Sequence, residues 1–166
     1  MIGMLARLFT RGEPALSEAS RRDAAAIAKL HAAAFRHGWS DGEIERMLLE
    51  RNIVAHRAMS GRTMSGRTLQ GFILSRLAGG EAEILSVAVA SARRGRGLAR
   101  ALLNLHLRRL AGLGARAVFL EVDEDNEPAR RLYQRAGFRE VGRRTGYYQQ
   151  GRDKAATALV LRRDLV

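Results

Sequence analysis

The densest chemistry in the chain lies between Ser91 and Arg100, where Arg93, Arg94, Arg96 and Arg100 surround Gly95 and Gly97. An apolar run with β-branched residues, Glu83 to Val89 (EILSVAV), precedes this segment and predicts a central strand. Behind it, Leu98, Leu102 and Leu105 on one side and Arg100, Asn104 and Arg108 on the other predict a helix through Leu113, ended by Gly112 and Gly114. A strand that turns on glycines into a helix N-terminus is an anion trap. The first helical turn offers unpaired N–H groups and the positive end of its dipole, and glycine lets a phosphate approach the backbone. Arg94, Arg96 and Arg100 add charge-assisted donors suited to a pyrophosphate. No Gly-Lys-Ser/Thr follows the loop, and the six-residue dinucleotide glycine fingerprint is absent, so a diphosphate with a long apolar tail fits better. The bland alternative is a basic turn whose glycines serve geometry alone.

A second set of reactive side chains follows. Ala117 to Val122 (AVFLEV) predicts a buried strand interrupted by one carboxylate, Glu121. Asp123 to Asn126 forms a polar turn, Pro128 suits a first helical turn, and a helix from Ala129 to Ala136 carries Tyr133 and stops at Gly137. Trp39, Tyr147 and Tyr148 fall in loops, where rings wall a binding tunnel or simply pack the loop. The corresponding bland readings make Glu121 a solvated residue on an open strand face, Tyr133 a packing ring, and Asn126 a turn former.

The positioning elements are read from local signals. Ala15 to Ala19 forms a short strand, and Ser20 with Asp23 resembles a capping box opening a helix through Ala34. Ser40 and Glu43 repeat the pattern ahead of Ile44, Met47 and Leu48, whose spacing marks one buried helical face. Ile53–Ala58 and Leu69–Ala78 are strand-like runs separated by a tandem repeat, Met59–Thr63 and Met64–Thr68, which suits a hairpin loop. Phe138–Arg144 and Ala158–Leu165 complete the strands. The expected fold is a single α/β domain over 14–166 with a central mixed sheet covered by helices, after a loose arm over 1–13.

Two separated motifs also carry a family resemblance. Arg94-Gly95-Arg96-Gly97-Leu98-Ala99 resembles the acetyl-CoA signature Arg/Gln-x-x-Gly-x-Gly/Ala of the GCN5-related N-acetyltransferases (GNAT), with Ala99 in the second glycine position, as the signature permits. Asn126, Ala129, Leu132-Tyr133 and Gly137-Phe138 resemble the downstream block of the same family. Phe35–Ser40 ending in Trp-Ser, Glu83–Val89, Leu120-Glu121-Val122 and Gly146-Tyr147-Tyr148 bring it near the branch that acetylates N-terminal alanine of ribosomal proteins. The resemblance implies a GNAT-like, mostly antiparallel sheet, acetyl-CoA as co-substrate, and no metal. It implies Glu121 as general base and Tyr133 as general acid. It further implies Val87, Ala88, Val89, Arg94, Gly95, Arg96, Gly97, Leu98, Ala99, Arg100 and Asn126 at the cofactor, and Trp39, Tyr147 and Tyr148 at the acceptor. An α-amine with a pKa of about 7.7 to 8 must lose a proton before attacking a thioester, and an apolar strand around Glu121 would make its carboxylate a better base. Backbone N–H groups near Val87 to Val89 would stabilise the oxyanion if the sheet parts there. The implied partner is a protein N-terminus, a small-subunit ribosomal protein in that branch.

Composition sets the remaining bounds. The 166 residues contain no cysteine, and His31, His37, His56 and His106 lack close metal-ligand spacing, so thiol and metal chemistry are not expected. The apolar stretch Met1–Leu8 is too short to span a bilayer, and a soluble cytoplasmic protein without a membrane partner is expected. The net charge of +12 would suit a polyanion, yet the arginines are scattered and Lys29 and Lys154 are the only lysines. Aromatic content is low for a single-strand nucleic-acid binder, so that partner is not expected. Two alternatives stay open: an acetyltransferase acting on a lysine side chain or small-molecule amine, and a non-catalytic basic ribosome- or RNA-binding protein.

Overall fold

The computed structural model describes residues 13–61, 66–146 and 156–166. The expected arm over 1–13, most of the turn between the two repeats, and Tyr147 and Tyr148 lie outside the described residues apart from Glu13 itself.

Local sequence signals start the first two helices. After strand β1 (Ala15–Glu18), a 3₁₀ turn (Arg21–Asp23) leads into α1 (Ala24–Ala34), and the Ser20 amide donates to Asp23 Oδ2 at 2.8 Å. Asp23 also pairs with Arg57, which fastens the start of α1 to the sheet. Helix α2 (Asp41–Leu49) opens with a reciprocal box: Ser40 N–H donates to Glu43 Oε2 at 2.7 Å, and Glu43 N–H donates to Ser40 Oγ at 3.2 Å. Such a cap satisfies two otherwise orphaned amides and contributes about 1 kcal/mol.

The remaining elements are β2 (Ile53–Ser60), β3 (Thr68–Ala78), β4 (Glu81–Val89), α3 (Leu98–Gly112), β5 (Ala117–Asp123), α4 (Glu127–Arg135), β6 (Arg139–Thr145) and β7 (Thr157–Asp164). They form one seven-stranded sheet in the order β1-β2-β3-β4-β5-β7-β6. Every neighbouring pair is antiparallel except β4 with β5. The mixed, mostly antiparallel sheet flanked by helices is the architecture expected from the sequence.

Each face of the sheet carries its own core. Helices α3 and α4 cover Ile73, Ile84, Leu120 and Val122 with Leu98, Leu102, Leu103, Leu107, Leu110 and Tyr133. Helices α1 and α2 cover Ala55, Phe72, Leu74 and Ala88 with Ile27, Ala28 and Ile44. The buried face of α3 corrects one expectation: Leu105 is only half-buried, while Leu103, His106, Leu107 and Leu110 lie inside. A polar histidine in the stripe disguised its true centre. His106 is fully buried because its Nε2 lies 2.7 Å from Ser75 Oγ and its Nδ1 lies 2.7 Å from Nδ1 of His56. One of those two facing nitrogens must carry the proton and the other accept it. Burial, and then the neighbouring His56, push the His106 pKa down to about 3.

Candidate active site

A bulge creates the cleft. Along the β3–β4 ladder Ser75 pairs with Ile84 but Leu74 pairs with Ser86, so Leu85 is an extra residue that bends β4. Parallel pairing with β5 is confined to Glu81–Ala117, Ala82–Val118 and Glu83–Phe119. Beyond that point β4 and β5 diverge. Backbone groups of the far half of β4 that point away from β3 therefore have no strand beside them.

The glycine-arginine turn closes one end of this opening. Gly97 is the N-cap of α3 with φ +81°, and Gly95 has φ +73°, a left-handed conformation that an L side chain adopts only with strain. Space is available at both positions, so backbone angle rather than crowding requires glycine there. No acidic residue occupies the first turn of α3, which leaves its positive end uncompensated. Arg94 donates from Nε to the Val89 carbonyl at 3.3 Å and ties the turn back to the strand end.

An open cleft of about 2060 Å³ runs from this turn through the gap in the sheet. Its walls include Val87, Ala88, Val89, Arg94, Gly95, Gly97, Leu98, Ala99, Arg100, Glu121, Asn126 and Tyr133, so one space unites nearly all of the expected cofactor and catalytic residues. Arg96 is not among the lining residues. Trp39 is not either; instead Ala34 at the end of α1 and Phe35, Arg36 and His37 of the same loop form the wall, and Trp39 stacks on His31.

The two candidate catalytic side chains occupy different environments. Strand alternation puts Leu120 and Val122 into the α3–α4 core and turns Glu121 to the opposite face. Its side chain is 39% exposed, and Oε1 receives a 3.0 Å contact from Arg144 Nε. The apolar enclosure anticipated for this carboxylate is therefore not its setting. Tyr133 is 6% exposed in the α3–α4 core, with its ring edge-on to Phe138 at 5.7 Å, and burial pushes its phenol up to about 12. Asn126 caps α4 by accepting from the Ala129 amide at 3.3 Å, so its turn role and its place in the cleft wall coexist. Signals absent from the sequence reading include Arg144, whose contact with Glu121 arises across β5, β7 and β6.

The model described as "Acetyltransferase (GNAT) family" matches residues 24–138, well over half of the 166. The chain belongs to the GNAT family.

Several named acetyltransferases are similar to part of the chain. A mycothiol acetyltransferase of Parafrankia sp. (strain EAN1pec) is 46% identical over 70 residues, 42% of this chain and 22% of the relative. The N-alpha-acetyltransferase RimI of Mycobacterium tuberculosis is 40% identical over 84 residues, 51% of this chain and 49% of its own. The matched segments thus span about a fifth to a half of these relatives' lengths. The GNAT fold is shared with the ribosomal-protein-S18-alanine N-acetyltransferase from Escherichia coli, at TM-score 0.79 and 24% identity over 92% of this chain and 94% of that one. Arabidopsis thaliana NAA60 in complex with acetyl-CoA gives TM-score 0.79 at 22% identity over 91% and 98% of the two chains. No described helix is long and apolar enough to cross a membrane.

Proposed function

We propose that this GNAT protein transfers the acetyl group of acetyl-CoA to the α-amine of a protein N-terminus, with N-terminal alanine of a small-subunit ribosomal protein as the favoured acceptor. The observation carrying this reading is the sheet gap itself, with Glu121 on one face, buried Tyr133 on the other, and the arginine-glycine turn at its end. The diphosphate of acetyl-CoA would lie against the amides of Gly95 to Ala99 and the Arg94 and Arg100 side chains. Its thioester would then reach the gap. The names of the E. coli and M. tuberculosis relatives support an α-amine acceptor.

The acceptor arrives largely as an ammonium ion, since an α-amine has a pKa of about 7.7 to 8. Glu121 attracts it and removes the proton, and the incoming cation competes with Arg144 for the carboxylate. The neutral nitrogen attacks the thioester carbon, forming the C–N bond and a tetrahedral oxyanion. N–H groups on the edge of β4 that faces the gap near Val87 to Val89 stabilise that charge. Collapse breaks the C–S bond and releases a thiolate, and the second proton of the attacking nitrogen passes to water in the open cleft as the neutral amide forms.

Tyr133 meets the thiolate as a hydrogen-bond donor. With its pKa pushed to about 12 against about 8.5 for an ordinary thiol, full proton transfer in the empty site is uphill. The phenol therefore stays protonated throughout the working range and stabilises sulfur by a charge-assisted hydrogen bond. Such a bond is worth about 1.5–3 kcal/mol, so Tyr133→Phe is expected to lower kcat roughly 10- to 100-fold with little change in acetyl-CoA binding. Full activity of that variant would remove the role.

A second reading is favoured by the mycothiol acetyltransferase matches, which make a small-molecule amine a competing acceptor. Incubation with acetyl-CoA and peptides differing at residue one, beside a peptide whose only amine is a lysine side chain and a small-molecule primary amine, separates them. Preferential turnover of alanine-initiated peptides is expected. Turnover of the lysine or small-molecule amine alone would overturn the N-terminal assignment.

A further inference from the structure

One buried side chain stands outside this chemistry yet contacts the wall of its cleft. His31, near the end of α1, is 5% exposed and lies against three rings. Its ring stacks on Trp39 with centroids 4.4 Å apart and planes 15° apart, and contacts Phe35 at 4.5 Å and Phe72 at 6.3 Å. The Trp39 backbone N–H donates to His31 Nδ1 at 3.2 Å, across eight residues of sequence. This bond requires a lone pair on Nδ1, which fixes the neutral tautomer with its proton on Nε2.

The two contacts close the α1–α2 loop into a clasp. Phe35, Arg36 and His37, held between the His31 end and the Trp39 end, are the segment lining the cleft near Ala88. Immediately after the clasp, Ser40 opens α2 through its capping box, so the loop is anchored at both ends. We infer that His31 is a positioning residue for the acceptor: its Nδ1 acceptor and ring stack fix the α1–α2 loop as one wall of the amine-binding side of the cleft. The inference rests on the proposed transferase reading only in assigning that wall to the acceptor.

Protonation breaks the hydrogen-bonded half of the clasp and leaves the ring stack. A proton on Nδ1 converts the acceptor into a donor facing another N–H, and the Trp39 bond is lost. The ionisable groups around His31 are remote from it in bonding terms. Lys29 on α1, Arg36 and His37 in the loop, and Asp41, Glu43, Glu45 and Arg46 on α2 are exposed. Glu43 is engaged with Ser40, Arg76 of β3 is paired with Glu50, and Glu81 and Glu83 of β4 are exposed. None of these supplies a counter-charge to His31, and burial holds its pKa below the usual histidine value.

Trp39 is the single tryptophan of the chain, which makes the clasp observable without any substrate. An imidazolium stacked on an indole quenches its emission, whereas a neutral imidazole does so weakly. Tryptophan emission of the full chain is followed from neutral to acid pH in the wild type, His37→Gln, His31→Phe and His31→Asn. A fall with a midpoint below the ordinary histidine value is expected in the wild type and His37→Gln, and no fall in either His31 variant. Kinetics with an alanine-initiated peptide supply the second readout. Phe keeps the stack but loses the acceptor atom, so its peptide KM should rise about five- to tenfold with kcat and acetyl-CoA KM unchanged. Asn places an oxygen where Nδ1 stood and should restore the peptide KM. A flat wild-type titration, a titration that survives in His31→Phe, or an unchanged peptide KM in a folded His31→Phe protein would overturn the inference. Should His31→Phe not fold, persistence of the emission change in His31→Asn overturns it and its loss supports it. Failure to acetylate any peptide strikes the N-terminal reading instead, and leaves the emission experiment decisive for the clasp.

Discussion

The two faces of the sheet are built on different principles. On the α3–α4 face, the candidate cofactor end is shaped by backbone: a bulge at Leu85, left-handed glycines at 95 and 97, and an uncapped helix start. On the α1–α2 face, the wall is shaped by side chains: a histidine stacked among Phe35, Trp39 and Phe72, and a carboxylate sharing an arginine. Left-handed glycine turns leave local signatures in sequence and tolerate little substitution, whereas the bulge leaves none. Side-chain devices join residues far apart and tolerate replacement by a chemical equivalent.

The largest expected effect tests the acceptor face. Glu121→Gln removes the proposed base and should lower kcat by about 10²–10⁴, most severely at the acid end of the pH profile where the amine is more fully protonated. Acetyl-CoA affinity, measured by calorimetry, should stay close to wild type. A variant losing both activities equally would erase the distinction between the faces.

Gly97→Val probes the opposite face. Forcing a β-branched residue to φ +81° costs about 1–3 kcal/mol, so acetyl-CoA affinity should weaken roughly 5- to 150-fold or the helix start should rearrange. Ala at the same position should fall between the two. Equal affinity in wild type and Val would mean that the left-handed turn is not what presents the amides.

The smallest effect concerns stability, and it arises under the cofactor face. His106 has a folded pKa of about 3, below its ordinary value of about 6.5 in the unfolded chain. The unfolded chain therefore binds more protons between those limits, and stability must fall as pH drops below about 6.5. At pH 5 this single group accounts for roughly 2 kcal/mol relative to neutrality. His56 and His31, both lowered chiefly by burial, act in the same direction. Urea midpoints at pH 7.5 and 5 provide the check, with no shift expected only if the His56–His106 pair is already open to water.

Legibility followed how local each device is rather than which face it lies on. Ser40 with Glu43, and Gly95 with Gly97, announced their structures because each device is complete within a few residues. The bulge at Leu85 carries no glycine or proline to mark it, so the run EILSVAV read as an unbroken strand. His106 hid the centre of the α3 stripe because its burial depends on Ser75 and His56, 31 and 50 residues away. Glu121 was found, but its setting was not: alternation alone decides which face it takes, and Arg144 reaches it only through the fold. Trp39 was legible as a loop aromatic, while its partner His31 passed as one more residue of an alanine-rich helix.

Three parallel residue pairs, Glu81–Glu83 with Ala117–Phe119, join β4 to β5. Mechanically, the sheet is two leaves sharing a short spine, and the open pages end in backbone groups with no strand beside them. A molecule whose tail carries amides, as the pantetheine arm of acetyl-CoA does, can serve as a missing rung between them. Binding would then be a completion of secondary structure as well as an occupation of space, and exchange of the Val87 to Val89 amides should slow together with a rise in melting temperature.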